Sequence, residues 1–213
     1  MAAITDLASL KVAVLDYLDR PDLDGAFATW LPLAESHFNA ILRAREMEAV
    51  TEPSAPSAAI DLPADFLEWI AVDWSGSGRV AHPTFAEANS PEARFRHRPG
   101  GDPQYFTVSA GKVRMVPAKP GAIVLTYYAA LPPLTAAASS NWLLARAPDA
   151  YLYGVLAEAS LFQKDPNAAQ AYTGLMLGVL QALGIKADTA KVARRSGRTA
   201  ELEASAQAVR RPE

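Results

Sequence analysis

The sequence predicts an α+β fold, mainly α, in which two helix pairs form one bundle and a small β lobe is inserted between them. Apolar residues recur at helical spacing near both ends of the 213-residue chain, while short runs with strand character occupy its middle. Each helix pair is too small to be stable alone, so packing the pairs together is the simplest way to bury both apolar stripes. The predicted boundaries are 1–50 and 140–186 for the helical bundle, 51–139 for the inserted β lobe, and 187–213 for an extended C-terminal arm.

The N-terminal pair begins with a helix that Thr5 or Asp6 can cap. Its stripe is mostly apolar and comprises Ile4, Leu7, Lys11, Val14, Leu15 and Leu18. After the break "DRPDLDG", a second stripe comprises Phe27, Trp30, Leu31, Ala34, Phe38, Ile41 and Leu42. Pro32 must either kink this second helix or mark its first turn, because proline has no backbone N–H to donate. We expect the charged end, "RAREME", to be exposed.

The middle of the chain opens with an extended connector, "VTEPSAPSAAIDLP", which contains prolines and no periodicity. The segment "FLEWIAVDW" predicts a strand, and the residues expected on one face are Phe66, Glu68, Ile70, Val72 and Trp74. A turn at 76–78 follows, and "QYFTVSAGKVRMVP" predicts a hairpin that turns near Ala110 and Gly111. The segment "AIVLTYY" is rich in β-branched and aromatic residues and predicts a further strand.

The C-terminal helix pair resumes at Asn141, and Pro148 is suited to a first helical turn. The apolar stripe of this helix comprises Leu152, Val155, Leu156, Ala159 and Phe162. Asp165 can cap the last helix, whose stripe comprises Ala169, Tyr172, Met176, Val179, Leu180 and Leu183. Gly184 is a natural helix stop. The remainder, from Lys186, is small, polar and basic, and we expect it to be mobile by itself because it can bury little apolar surface.

Composition excludes several classes of site. The chain has no cysteine, which rules out disulfides, thiolate zinc sites and cysteine nucleophiles. The net charge of −3 gives no general reason to bind nucleic acid or an anionic membrane. Lys11 and Asp16 interrupt the N-terminal apolar run, so we expect no signal peptide. Asp149 and Glu158 interrupt the longest run of low charge, so we expect no membrane span.

The titratable residues show no catalytic or metal-binding pattern. His37, His82 and His97 share no metal-ligand spacing. His37 is interpreted as structural, and His97 as part of a solvated basic loop or as an anion contact. Four acidic residues that lie close in sequence are Asp61, Asp65, Glu68 and Asp73. An acid–base pair or a hard-cation site is one interpretation of them, and strand-entry capping with ordinary solvation is another. Nothing in these residues therefore calls for an enzyme, although the carboxylates do not exclude one, and we predict no metal and no cofactor.

Two groups of aromatic residues are candidate binding surfaces. Tyr151, Tyr153 and Tyr172 are interpreted as a subunit interface, because Tyr151 and Tyr153 diverge on a helix and one of them should face a neighbour. The alternative is a ligand- or glycan-binding module on the β lobe, which depends on aromatic residues there. These residues are Trp69, Trp74, Tyr105, Phe106, Tyr127 and Tyr128. A hydrolase that uses the carboxylates between Asp61 and Asp73 is a further alternative.

Four segments, in this order along the chain, resemble the head-to-tail adaptor proteins of tailed bacteriophages, which are ring proteins attached to the portal. They are "TDLASLKVAVLDYLDRPDL", "LAESHFNAILRAREME", "DLPADFLEWIAVDW" and the long segment from "VRMVPAKPG" to "DPNAAQAY". The resemblance extends from about Thr5 to about Leu183, and the order of the segments carries it. His37 departs from the family's pattern, which more often has arginine there, and Pro32 intrudes upstream.

The resemblance implies a structural virion protein without catalytic activity. Such adaptors form a ring, commonly a dodecamer, that lies beneath the portal, extends the DNA channel and offers the tail or nozzle protein a docking surface. Packaged DNA would pass through the channel without sequence-specific contacts, and the ring would serve head completion and DNA ejection. The implied location is the neck of the virion, after assembly in the host cytoplasm and away from any membrane. The equivalent connector of a gene-transfer particle stays an alternative.

The resemblance also implies that the C-terminal arm clasps the portal. The basic residues that could bind acidic grooves of the portal are Lys191, Arg194, Arg195, Arg198, Arg210 and Arg211. A solvated, loosely helical terminus is the alternative interpretation of the same side chains.

Overall fold

The computed structural model contains both helices and sheets, which confirms the predicted α+β class. The residues that it describes are 3–53, 56–76, 78–91 and 101–183. The chain divides into two compact units: a helical unit of Met1–Glu46 with Leu131–Glu213, and a β unit of Met47–Ala130. The predicted arm, 187–213, lies outside the described residues.

The helical unit contains five α-helices in its described part. They are α1 (Leu7–Leu18), α2 (Phe27–Ile41), α3 (Trp142–Arg146), α4 (Pro148–Phe162) and α5 (166–183). A 3₁₀ helix, Pro21–Ala26, joins α1 to α2. Within the described residues, none of the helices is both long and apolar enough to span a membrane.

Helix caps lie where the sequence predicts them. The carboxylate of Asp6 accepts the Ser9 N–H at 2.8 Å, and the Ser9 hydroxyl oxygen accepts the Asp6 N–H at 3.0 Å, so the two residues form a capping box. The Asp165 carboxylate accepts the N–H groups of Asn167 and Ala168 at 3.1 and 3.0 Å. Each cap satisfies backbone donors that have no partner inside the first turn.

The second helix shows two differences from its prediction. Pro32 lies in the second turn of α2, one turn later than the first-turn position that the sequence offered. Helix α2 ends at Ile41, and a second 3₁₀ helix, Arg45–Met47, leads directly into a strand. The expectation that "RAREME" is an exposed helix end is therefore wrong in part, because Ala44 and Met47 are buried. Leu42 takes an extended conformation that turns the chain away from the helix axis.

Helix α4 is enclosed by its own unit on nearly all sides, because α1, α2 and α3 all pack against it. Its buried residues are Ala150, Tyr151, Leu152, Gly154, Val155, Leu156, Ala157, Ala159 and Ser160. The sequence predicted a single stripe that included Phe162, but Phe162 is 58 % exposed. The low charge of this helix therefore reflects a central position. A Cβ on Gly154 would lie 2.8 Å from the Phe38 ring, so α2 and α4 approach closely there.

The described residues of the β unit form two four-stranded sheets, ordered β1-β8-β3-β4 and β2-β7-β6-β5. The strands are β1 (Glu48–Thr51), β2 (Ala59–Asp61), β3 (Phe66–Gly76), β4 (Arg79–Ala81), β5 (Thr84–Phe85), β6 (Tyr105–Ser109), β7 (Lys112–Val116) and β8 (Ala122–Ala129). Neighbouring strands pair antiparallel, except that β5 pairs parallel with β6. The β6–β7 hairpin and strand β8 confirm two predictions. Ala110 and Gly111 have φ of 50° and 70°, the left-handed pair that a tight hairpin turn requires.

One apolar core is shared by the two sheets. Its residues are Ile60, Val72, Trp74, Phe106, Val113, Met115, Ile123, Leu125 and Tyr127. Trp74 is fully buried, and its indole N–H donates to the Lys119 carbonyl at 3.1 Å. Gly76 and Gly121 lie against its ring, and a Cβ on Gly121 would lie 2.2 Å from the indole nitrogen. Glycine at this position is therefore a packing requirement.

The alternation of inward and outward side chains along strand β3 is interrupted. Its pairing with β8 is irregular between Trp69 and Ala71, so simple alternation does not continue through this region. Val72 and Trp74 are buried as predicted, whereas Ile70 is only half-buried and Trp69 packs against the core. The predicted buried face of β3 is therefore wrong at Ile70, because at the irregular pairing Trp69 packs against the core in its place.

Candidate functional site

A buried polar network in the helical unit fastens the segment 131–141 to α2. Glu35 is only 6 % exposed, and its Oε1 accepts the Leu134 N–H at 2.8 Å and the Tyr151 hydroxyl at 3.2 Å. One turn further along α2, the Asn39 side-chain oxygen accepts the Leu131 N–H at 2.7 Å. We call residues 131–141 the strap, because two side chains of α2 hold its backbone.

Asn141 closes the network at the other end of the strap. Its amide nitrogen donates to the Tyr151 hydroxyl oxygen at 2.6 Å and to the Pro132 carbonyl at 2.7 Å. Its side-chain oxygen accepts the Leu144 N–H at 3.0 Å and so caps α3. The sequence indicated no role for the side chains of Glu35, Asn39 or Asn141. For Glu35 and Asn39 the available signal was a polar residue beside an apolar stripe, but their partners in the strap lie about a hundred residues away.

Burial dominates the electrostatics of this network. It raises the pKa of Glu35 above the usual glutamate value, although the hydrogen bonds from Leu134 and Tyr151 partly oppose the shift. Burial also raises the pKa of Tyr151, and the nearby Glu35 carboxyl group adds to that rise. Because both groups are enclosed, breaking their hydrogen bonds would leave buried polar atoms without partners, so the network holds the strap in place.

The three predicted interface tyrosines lie in two different environments. Tyr151 is fully buried in its own unit and packs edge-on against Phe38, with ring centroids 4.9 Å apart. Its side chain therefore offers no area to a neighbouring subunit, and the interface interpretation of Tyr151 is corrected. Tyr153 and Tyr172 are half-buried and stack on each other at 6.4 Å between α4 and α5. The divergence of Tyr151 and Tyr153 leaves Tyr153 as the one that can face outward.

Helix α5 presents an apolar surface beside this tyrosine pair. Ala171, Gly174, Leu175 and Gly178 recur at helical spacing, and all four are exposed. A Cβ on Gly174 or Gly178 would meet nothing within 4 Å. We call these four residues the open face of α5. Elsewhere in the helical unit, exposed large apolar residues are Val12, Tyr17, Leu33, Ile41, Leu161 and Phe162.

The acidic residues considered for catalysis do not converge. Their partners are different: Asp61 pairs with Lys112, Asp65 accepts from the Tyr127 hydroxyl, and Asp73 pairs with His82. Among the residues that the structure describes, no group of three or more histidine or acidic side chains could hold a metal ion. His37 contacts Glu158 at 3.1 Å across α2 and α4, which suits the structural interpretation.

The aromatic residues of the β unit divide between its core and a surface cleft. Trp74 and Tyr127 belong to the core. Trp69 lines a cleft of about 480 Å³, and so does Phe106, which also belongs to the core. Phe85 lines the same cleft, although its place in the sequence indicated no role. Two predicted members of the aromatic surface are thus brought together, while two others are committed to packing.

Several predicted residues lie outside the part of the chain that the structure describes. They are His97, Gly184 and the basic arm residues Lys191, Arg194, Arg195, Arg198, Arg210 and Arg211.

Comparison with protein families gives a match to the model described as SU10 adaptor protein, over residues 5–202. The matched range includes the described helices and both sheets, and it continues into the predicted arm. It confirms the resemblance drawn from the sequence. A search of curated proteins finds no match.

Proposed function

Because the chain belongs to the SU10 adaptor protein family, a head–tail adaptor family of phages, we propose that it is the adaptor subunit that joins the portal to the tail. It is a structural component of the virion in this proposal, and its partners are the portal protein, the tail or nozzle protein and further copies of itself. The observation that carries the proposal is a family match that spans 5–202 of the 213 residues.

The proposed assembly is a ring, with twelve copies as the resemblance implies. A head-to-tail ring needs two different surfaces on each subunit, since the contacts around it are heterologous. Tyr153, Tyr172 and the open face of α5 supply one apolar surface outside the buried core. The exposed apolar residues at the end of α4, Leu161 and Phe162, are a candidate for the opposite surface.

The proposed portal contact is the C-terminal arm. Its basic residues, from Lys191 to Arg211, suit an acidic groove because guanidinium groups bind carboxylates through two parallel hydrogen bonds. If the arm orders only on the portal, attachment includes an entropic cost that makes binding conditional on that partner.

The ring is proposed to extend the DNA channel in the neck of the virion, after assembly in the host cytoplasm. The net charge of −3 suits a channel through which DNA slides without being held. A connector of a gene-transfer particle would use the same surfaces, and the genes that flank this one would identify the particle.

Electron microscopy of the full chain, alone and with portal protein, tests the proposal. The expected result is a ring with a central hole seated on the portal, and native mass spectrometry should give one copy number. Leu175→Glu should prevent ring formation because it places a charge on the open face of α5. Gln104→Glu introduces a glutamate at an exposed position of the β unit and serves as the control. A protein that stays monomeric and never binds portal would refute the proposal.

A further inference from the structure

We infer that the β unit carries a binding cleft for a neutral, hydroxylated ring of the carbohydrate class, independently of the adaptor role. The cleft is open to solvent on one side and has a volume of about 480 Å³, which lies within the range of small-molecule sites. It is bounded by β3, the β4–β5 connection, β5 and β6. All of these elements belong to the β unit.

The floor of the cleft is an aromatic platform. Phe85 stacks on Trp69 with ring centroids 5.3 Å apart and planes 20° apart. Phe106 meets both rings edge-on, at 5.1 Å from Trp69 and 5.7 Å from Phe85, and is itself buried. The three rings fix one another, while Phe85 stays 42 % exposed. An exposed ring held in this way offers a flat apolar surface for the C–H face of a pyranose at little cost in side-chain entropy.

The polar wall of the cleft is an acidic residue paired with a histidine. His82 Nδ1 and Asp73 Oδ1 lie 2.6 Å apart, His82 is exposed and Asp73 is half-exposed. With a neutral imidazole, Nδ1–H donates to the carboxylate, which leaves Nε2 as an acceptor. Asp73 keeps further lone pairs as well. A wall of acceptors beside an aromatic platform matches the hydroxyl groups of a sugar, which donate hydrogen bonds.

The same geometry selects against other ligand classes. The Asp73 carboxylate repels an anion. A cation binds most strongly over the face of a tryptophan, and Phe85 stacks on Trp69 with the ring planes 20° apart, so it covers one face of that ring. A neutral ligand with one apolar face and several hydroxyl groups would use both the exposed Phe85 ring and the acceptor atoms of Asp73 and His82.

Saturation-transfer difference NMR of the full chain tests the inference, with the methyl glycosides of glucose, galactose, mannose and N-acetylglucosamine as probes. At least one glycoside should receive saturation on the ring protons of one face. Phe85→Ala and Asp73→Asn should each weaken its binding about tenfold, because the first removes the exposed ring and the second replaces one charged acceptor oxygen by an amide nitrogen that donates. Val80→Ala removes an exposed apolar side chain outside the cleft, and Asp61→Asn removes an exposed carboxylate from another ion pair, so both controls should bind normally.

Asp73→Asn changes an accessible side chain, so its result remains informative even if Phe85→Ala perturbs folding. Three outcomes would overturn the inference. One is a folded protein that transfers no saturation to any of the four glycosides. Another is unchanged binding in Phe85→Ala and Asp73→Asn. The third is binding of tetramethylammonium, used as a cationic probe, by a protein that ignores the glycosides.

Discussion

Replacing Glu35 by alanine and by glutamine separates the two roles of one buried carboxyl group. The carboxyl oxygen accepts hydrogen bonds from the Leu134 N–H and the Tyr151 hydroxyl, and both donors are enclosed. A buried donor that loses its acceptor costs about 1–3 kcal/mol. Glu35→Ala should therefore lower the free energy of unfolding by about 2–4 kcal/mol, after allowing for relief of the desolvated carboxyl group.

Glu35→Gln keeps an acceptor oxygen and the shape of the side chain, so its cost should stay within about 1 kcal/mol. The variant also removes a titratable group, because the glutamine amide does not ionise. Burial raises the pKa of Glu35 in the folded chain, so the folded state holds this proton more tightly than the unfolded state. The group therefore supports folding most fully below its unfolded pKa, and that support declines as pH rises towards the folded pKa. The free energy of unfolding of the glutamine variant should therefore increase relative to that of the wild type as the pH rises above the usual glutamate pKa of about 4.3.

Two measurements check these expectations. Denaturant unfolding at pH values below and above the titration gives the free energies, and amide hydrogen exchange reports the Leu134 N–H directly. Exchange at Leu134 should accelerate in Glu35→Ala and stay slow in Glu35→Gln. Glu87→Ala, which removes an exposed glutamate, should change stability by no more than about 0.5 kcal/mol. The assigned acceptor role would be refuted if the alanine variant were as stable as the wild type. It would also be refuted if the glutamine variant lost as much free energy of unfolding as the alanine variant.

Three further predictions concern other parts of the chain. Gly121→Ala should destabilise the β unit by about 1–3 kcal/mol, since the added Cβ would overlap the Trp74 ring; thermal melts compare it with Gly25→Ala, where the Cβ meets nothing within 4 Å. Asp165→Ala should cost about 1 kcal/mol, because it removes the acceptor for two N–H groups at the start of α5; an unchanged melting temperature would contradict the cap. Deleting the residues after Lys186 should leave the circular dichroism spectrum of the folded body intact but abolish co-sedimentation with portal, and normal binding by the truncated chain would disprove the clasp.

Local signals account for the features that the sequence predicted well. The Asp6 and Asp165 caps depend on residues within three positions, and the turn at Ala110 and Gly111 depends on the two residues that form it. Such motifs need no knowledge of the rest of the fold. Strand β8 was also predictable from its own residues, because five of its eight residues are β-branched or aromatic.

Long-range packing decided the features that the sequence did not predict. The burial of Tyr151 depends on Phe38 and Glu35, which are more than a hundred residues away. The change of face at Trp69 depends on an irregular pairing with β8. Neither the residue types nor their spacing predict these two features. The side chains of a strand exchange faces where its register with the neighbouring strand shifts by one residue, and that register depends on the partner strand.

The network around Glu35 also indicates why the family could be identified from sequence while the partner surfaces could not. The segment "LAESHFNAILRAREME" contains Glu35 and Asn39, and the long C-terminal segment contains the strap, Asn141 and Tyr151. Two of the segments that carry the resemblance therefore contain residues of this network. The open face of α5 needs only small or apolar side chains, a requirement that many sequences meet. The family match over residues 5–202 thus establishes membership of a family of adaptors. The contacts with the portal, the tail and further copies of the chain must be tested by substitutions of exposed residues.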